Sequence, residues 1–486
     1  MALNSTIMGM VGNSSCKESC MSKKPNIVFF FTDDQRFDTI AALGNHAINT
    51  PNIDQLVHRG TAFTHAHIPG GTCGAVCMPS RAMLHTGRSL FHLEDTGSRI
   101  PEAHTTLGEC LRQAGYRTFG AGKWHNGRPA YHRSFTDGDE IFFGGMADHW
   151  NVPAYHFDST GKYDRTFRRC IDPITSNDVQ IIHADHINNG VHSSEMVCSA
   201  ACRFIREYDA ENPFFTYISF LAPHDPRTMP DEFRDMYCAA DIELPLNFLG
   251  GHPFANGALR IRDEELAPFP RDPENTKKHI ADYYAMISHL DDQLGLVIKA
   301  VEDKGALENT IFVFASDNGL ALGQHGLFGK QSCYNHSVRV PLIFAGPGIP
   351  KGVKSEALVY LFDIFATLCE LSDISIPESV EGTSLIPAMH DATATVRNSL
   401  YFAYCGFQRA VRDSQFKLID YVIDGKHTQS QLFDMENDPW ERSNLAAIPK
   451  YADKVSELRK ELVRFSVDWN DRESEWGKTF WAGMAI

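Results

Sequence analysis

Three stretches of the chain gather residues that can do chemistry. Asp33 and Asp34 follow one apolar run, and Asp317 and Asn318 follow another. Three carboxylates and one amide oxygen make an all-oxygen set that suits a hard cation, Ca²⁺ or Mg²⁺, rather than zinc. Either pair alone reads more simply as a cap on a helix or turn, where Asp and Asn are favoured. The third stretch is CMPSRAMLHTGR, Cys77 to Arg88. Pro79 suits the first turn of a helix and Gly87 its end. Cys77 then sits at a helix N-terminus, where free N–H groups and the dipole stabilise an anion. Arg81, one turn on, can reach back to the same point. A thiol there is either a low-pKa nucleophile or a buried structural cysteine, and spacing does not choose between them.

The elements that must position these residues are legible as patterns. Asn26 to Phe31 is a continuous apolar run, as expected of a strand buried on both faces of a parallel sheet. Phe214 to Phe220, Ile311 to Ala315 and Leu342 to Ala345 look alike. Helical patterns lie between them, from Leu107 to a stop at Gly115 and from Lys277 to Val301. Alternating strands and helices predict an α/β fold, a large, mostly parallel sheet flanked by helices. In such sheets ligands bind beyond the carboxyl ends of the strands, which is where both acidic pairs fall. After residue 390 short strands separated by turns predict a small antiparallel sheet, followed by a helix from Pro449 to Phe465. The expected organisation is a disordered segment 1–24, a catalytic α/β domain 25–390 and a small C-terminal α+β subdomain 391–486.

Composition bounds the function. The 486 residues are 43% hydrophobic and 22% charged, an ordinary globular balance. Lys and Arg total 45 against 61 Asp and Glu, a formal charge of -16 that repels polyanions and argues against nucleic-acid partners. An anionic substrate therefore needs a local cationic cluster. The N-terminus lacks the basic start and apolar stretch of a signal peptide, and no window approaches the ~20 apolar residues of a membrane span. As written the chain reads as cytoplasmic and not membrane-bound, with a periplasmic or secreted location as the alternative and Met1 or Met21 as the start. Twelve scattered cysteines do not demand a disulfide framework, and buried free thiols are expected.

CMPSRAMLHTGR resembles the signature of the sulfatase family, in which the Cys of C-x-P-S-R is converted to formylglycine. The resemblance runs on in family order through PNIVFFFTDDQ, TPNIDQLVHRGTAF, GYRTFGAGKWH, APHDP, FASDNG, LGQHGLFGK, VRVPLIFAGPG, DIFATLCEL, EGTSLIP and LFDMENDPWERSNLA, over residues 25 to 446. It implies an alkaline phosphatase-like fold and hydrolysis of a sulfate ester, on a sulfated small molecule or carbohydrate. Asp33, Asp34, Asp317 and Asn318 match the family's metal ligands, with modified Cys77 adding an oxygen to one Ca²⁺. Arg81 and Lys123 match the cations flanking the formylglycine, and His125 the residue contacting its hydroxyl. His224 and Lys330 match residues that grip the sulfate, and His325 is a further candidate for substrate contact.

The implied reaction uses a hydrated aldehyde. One hydroxyl attacks sulfur to give a covalent sulfo-enzyme, and the other then loses its proton and expels sulfate. Negative charge on the sulfonyl oxygens calls for a dication and fixed cations, and Arg81, Lys123 and Lys330 supply the cluster that the net charge required. A formylglycine-generating or sulfatase-maturating enzyme acting on CMPSR is the implied partner.

Two features depart from the pattern. Tyr334-Asn335-His336-Ser337 stands where many relatives carry acidic residues, and the segment 145 to 195 matches no family block. Its Trp150, Tyr155, Tyr163, Asn188 and Asn189 suit sugar recognition or an ordinary folded insertion equally. Asn318 favours a sulfatase over the related phosphonate and phosphate ester hydrolases, which tend to place His near that strand end. Two competing readings remain: a phosphonate or phosphate ester hydrolase of the same superfamily, and a silent binding protein whose Cys77 is never oxidised.

Overall fold

The computed structural model describes residues 24–484, so the expected disordered segment lies, up to Lys24, outside the described residues. An eight-stranded sheet organises the larger part of the chain. Its order is Val353–Ser355, Gly60–Phe63, Leu342–Ala345, Thr310–Ser316, Asn26–Thr32, Phe214–Ser219, Arg117–Lys123, Asp137–Phe142. The four strands from Thr310–Ser316 to Arg117–Lys123 are mutually parallel. Leu342–Ala345 instead runs antiparallel to Thr310–Ser316, unlike the other buried runs it resembles in sequence. The segment joining the two has no crossover helix of the length that would carry the chain back to the far end, so it re-enters from the same end.

The central strands are apolar throughout because both faces are covered. In Asn26–Thr32, Ile27, Phe29 and Phe31 enter one core cluster while Val28 and Phe30 enter the other. This is the period-two alternation of a strand. Ile311, Val313 and Ala315 against Phe312 and Phe314 repeat it next door. Phe30 stacks on Phe312 across the strands, centroids 6.4 Å apart, and truncating it to Ala costs about 3–5 kcal/mol. The helix Pro273–Asp303 lays Leu290, Leu294, Val297 and Val301 on the second face. It starts four residues before the expected Lys277 because Asp272 accepts the Asn275 N–H at 2.7 Å and Pro273 fits the first turn. The helix Leu107–Gln113 opens on a capping box of Thr106 and Glu109.

A second sheet joins Leu400–Tyr404, Gln408–Arg412, Phe416–Ile423 and Lys426–Asp434 in antiparallel order. The expected Pro449–Phe465 helix is a 3₁₀ turn, Pro449–Tyr451, leading into Ala452–Asp468, whose Leu458, Leu462 and Phe465 pack on this sheet. A last helix, Glu475–Met484, was not expected. The strand Gly70–Gly71, six residues before Cys77, pairs with Leu400–Tyr404 and ties the nucleophile loop to the second sheet. Gly70 has φ +103°, and an added Cβ there would lie 2.0 Å from the Ala403 carbonyl oxygen, so only glycine fits. The ten cysteines of the described residues are free, and none of the helices described is long and apolar enough to cross a membrane.

Candidate active site

Register brings the two acidic pairs together. Thr32 lies opposite Ser316 in the parallel ladder, so Asp33 and Asp317 leave adjacent strand ends. The Asp34 N–H donates to Asp317 Oδ1 at 3.0 Å, with Asp34 held at φ 66°, a conformation Asp tolerates. Lys123 ends the strand Arg117–Lys123, and an added Cβ at its neighbour Gly122 (φ +85°) would lie 1.8 Å from the Ser219 carbonyl oxygen. Cys77 is the first residue of the helix Cys77–Thr86, which ends on Gly87 at φ 65°. Ser80 Oγ donates to the Asp317 carbonyl at 2.5 Å, fixing that helix to the acidic strand end.

Cations pair with each carboxylate in a buried site. Arg81 Nε lies 2.9 Å from Asp317 Oδ2, and its Nη1 donates to Ser219 Oγ at 2.6 Å and the Lys123 carbonyl at 3.1 Å. Lys123 Nζ bonds Asp33 and lies 3.6 Å from Cys77 Sγ. Lys330 Nζ bonds Asp34 Oδ1 at 2.7 Å, as does Asn318 Nδ2 at 2.6 Å. Burial alone would raise the Asp33 carboxyl, but Lys123 and then Arg81 hold it well below the usual range. Burial and then the charge of Asp33 lift Asp317.

Cys77 Sγ lies 3.5 Å from His125 Nδ1. Burial pushes the thiol up despite Lys123 and Lys330, which goes against the low-pKa thiolate that the helix N-terminus suggested. Burial, then Lys123 and Arg81, push His125 down to about 2, so its imidazole is neutral at working pH. His224 donates from Nδ1 to the Asp225 carbonyl at 2.8 Å, leaving Nε2 3.7 Å from Asp34 Oδ2.

The donor set fits a hard cation. Asp33 Oδ1 and Asn318 Oδ1 are buried without a hydrogen-bond partner, a costly condition that an ion would relieve. Ligand atoms of Asp33, Cys77 and Asp317 lie within 4.8 Å of one another, as do those of Asp33, Asp34 and His224. Carboxylate and amide oxygens at these positions are the chemistry of Ca²⁺ or Mg²⁺.

A cavity of about 300 Å³ opens over this cluster, with Cys77, His125, His224 and Lys330 on its wall. A larger one of about 750 Å³ holds none of these residues, and the reactive groups mark the smaller as the site. His325 does not line it. Its ring stacks on Tyr334 at 3.9 Å and its Nε2 meets Asn247 at 3.1 Å, which places it outside the cavity that holds Cys77. In the segment 145–195, Tyr155 and Tyr163 are core residues, and only Gly145 and Met146 reach the cavity. His149 Nε2 bonds the His224 carbonyl from behind at 2.9 Å. Arg262, Asp263 and Gln331 at the cavity, and Ser219 beneath Arg81, carried no pattern in the sequence.

A mostly parallel sheet with a buried, cation-paired carboxylate cluster at its strand ends is an alkaline phosphatase-like architecture. Residues 25–374 match the sulfatase family, and residues 323–468 match the C-terminal region family of N-sulphoglucosamine sulphohydrolase. The chain belongs to the sulfatase family and is a sulfuric ester hydrolase. It is 29% identical to an arylsulfatase of Clostridium perfringens over 91% of this chain and 94% of that one. It is 30% identical to a sulfatase of Formosa agariphila, over 93% and 89%. An N-acetylglucosamine-6-O-sulfatase of Bacteroides thetaiotaomicron is 24% identical, over 93% and 88%. Its fold is shared with a structure solved with its substrate D-glucosamine-2-N,6-O-disulfate, at TM-score 0.73 and 23% identity over 92% of this chain and 99% of that one. It is also shared with the phosphonate monoester hydrolase of Agrobacterium radiobacter, at TM-score 0.72 and 21% identity over 92% and 96%.

Proposed function

We propose that this sulfuric ester hydrolase removes sulfate from a sulfated sugar or oligosaccharide, with residue 77 acting in its formylglycine form. The convergence of Lys123, His125, His224 and Lys330 around Cys77 carries the reading. The sugar is supported by the N-acetylglucosamine-6-O-sulfatase relative and the disulfated glucosamine in the similar structure. A hydrated aldehyde at position 77 supplies the attacking hydroxyl, where the structure has Sγ standing for those oxygens.

Each neighbour then has a task. Lys123 Nζ, an ammonium paired with Asp33, orients the hydroxyl, and the neutral His125 ring next to that position is the group free to accept its proton. Lys330 and His224 hold the sulfonyl oxygens and favour departure of the alcohol, while Arg81 fixes Asp317 and the Cys77 helix. Asp33, Asp34, Asp317, Asn318 and the residue-77 oxygen hold one Ca²⁺, which supplies positive charge against the developing anion. Residues 25–390 serve as the catalytic domain and 391–486 as the smaller subdomain that braces the nucleophile loop.

A maturation enzyme acts on CMPSR before folding. Cys77 is 2% exposed and Arg81 0%, so no enzyme can read this segment in the folded protein. Comparing rates on an aryl sulfate and an aryl phosphonate tests the reaction. Faster sulfate turnover is expected, and preferred phosphonate turnover would overturn it in favour of the phosphonate ester reading.

A further inference from the structure

Above the catalytic floor, the cavity is bordered by a short turn that the family blocks do not cover. Arg262 and Asp263 open the 3₁₀ turn Arg262–Leu266, and both line the cavity, with Ile261 and Met146 as apolar walls. The turn is fastened to the loop that carries Lys330. Glu264 accepts the Phe328 N–H and the Gly329 N–H, each at 2.9 Å, and pairs with the buried Arg271. Gln331 Nε2 donates to Asp263 Oδ2 at 2.7 Å and to the Gly74 carbonyl at 2.8 Å, three residues before Cys77. Arg262 grips Asp225 with both terminal nitrogens, one at 2.9 Å, and so spans the residue after His224. A rim tied in this way to Cys77, His224 and Lys330 is held at a fixed position relative to the reacting group.

The chemistry of the rim is specific. Arg262 remains 48% exposed at its side chain and keeps donors to spare, while the Asp263 carboxylate keeps acceptor sites after binding Gln331 and Arg262. Donor and acceptor side by side over apolar walls suit a sugar ring, which offers hydroxyls on its edge and C–H groups on its face. The Asp263 carboxylate is the selective part. Arg262 is engaged by both Asp225 and Asp263, and Arg227 also faces Asp225, so the rim guanidinium is already paired and Asp263 is the carboxylate that the cavity wall presents. An added anionic group at the rim would meet like charge as well as lose solvation.

Resting on the sugar-sulfatase reading above, we propose that Arg262 and Asp263 are the specificity rim of this enzyme. They recognise hydroxyls beside the sulfated carbon and select a ring bearing one sulfate over a ring with a second sulfate or a carboxylate there. A cavity of about 300 Å³, at the small end for ligand sites, has room for one such ring.

The test uses the matured enzyme with 4-methylumbelliferyl sulfate, which has no sugar ring, and two substrate pairs. These are glucosamine 6-O-sulfate with glucosamine 2-N,6-O-disulfate, and galactose 6-sulfate with galactose 2,6-disulfate. Wild type is expected to favour the monosulfate of the better pair by about tenfold in kcat/KM. Asp263→Asn is expected to cut that preference by about fivefold or more, mainly through KM, and Asp263→Lys to reverse it. Arg262→Gln is expected to raise KM for the monosulfate and also lower kcat through Asp225 and His224. Unfolding midpoints within a few degrees of wild type keep the comparison valid, and Asp263→Asn, which changes no side-chain size, decides the matter if another variant fails to fold. Turnover of the aryl sulfate and a sugar, with the mono-to-disulfate ratio unmoved by Asp263→Asn, overturns the rim alone. No turnover of any sulfate by enzyme shown to carry formylglycine overturns the function beneath it and the rim with it.

Discussion

Lys123 Nζ lies 3.6 Å from Cys77 Sγ while it is ion-paired with Asp33, and all three side chains are buried. A single ammonium thus joins the position proposed to attack to a carboxylate of the candidate metal site. The thiol itself gains little from this, because burial raises it despite the cation. The arrangement suits the proposed oxygen nucleophile, whose charge Lys123 and a bound cation would share.

Lys330→Ala is expected to lower kcat on an aryl sulfate by about 10²–10³-fold, with a smaller change in KM. Lys330 reaches the cavity from Asp34, and its charge matters most when negative charge develops on the sulfonyl oxygens. Steady-state kinetics on the matured variant check this, and an unchanged kcat would remove Lys330 from the transition state.

Removing the ion should cost both activity and stability. Chelation of the protein is expected to abolish turnover and lower the unfolding midpoint, with Ca²⁺ restoring both. A ligand at a hundred times its Kd adds about 2.7 kcal/mol. Asn318→Ala is expected to raise the Ca²⁺ concentration needed, since its Oδ1 is one of the two unpartnered oxygens. A midpoint indifferent to chelator and Ca²⁺ would contradict the site.

Arg81→Met should destabilise the fold by about 3–5 kcal/mol, because it leaves Asp317 as a buried carboxylate without its cation. Thermal unfolding reads this directly. A midpoint equal to wild type would mean that Arg81 is dispensable for the strand-end cluster.

Acid should weaken the protein through histidines held neutral. His149, His192 and His289 lie ring to ring behind His224, and burial lowers them to about 4, 2 and 4. Their ordinary value is 6.5, so below pH 6.5 the unfolded chain binds protons that the folded one refuses. Stability therefore falls as pH drops from 6.5 toward 4. The unfolding midpoint is expected to fall by roughly 10 °C between pH 7 and pH 4.5, and a flat profile would contradict it.

Much of the site was legible because its chemistry is local in sequence. Asp33, Asp34, Asp317 and Asn318 each follow a buried strand, and Pro79 and Gly87 bracket the Cys77 helix. What binds these pieces is not local. Ser219 supports Arg81 across 138 residues, and no pattern in either segment announces that bond. Arg262 and Asp263 sit in an irregular turn, where neither strand nor helix periodicity points a side chain. His325 was a further candidate for substrate contact, yet at φ 53° its ring turns onto Tyr334. In the fold, Leu342–Ala345 has the apolar composition of its parallel neighbours, and direction is a property of the connection that composition does not carry.

The central claim is that residue 77 works as formylglycine. Peptide mass spectrometry across Cys77, on preparations of graded sulfatase activity, tests it most directly. An aldehyde in place of the thiol, in a fraction that rises with specific activity, is the predicted result. A fully active preparation carrying only unmodified Cys77 would contradict it.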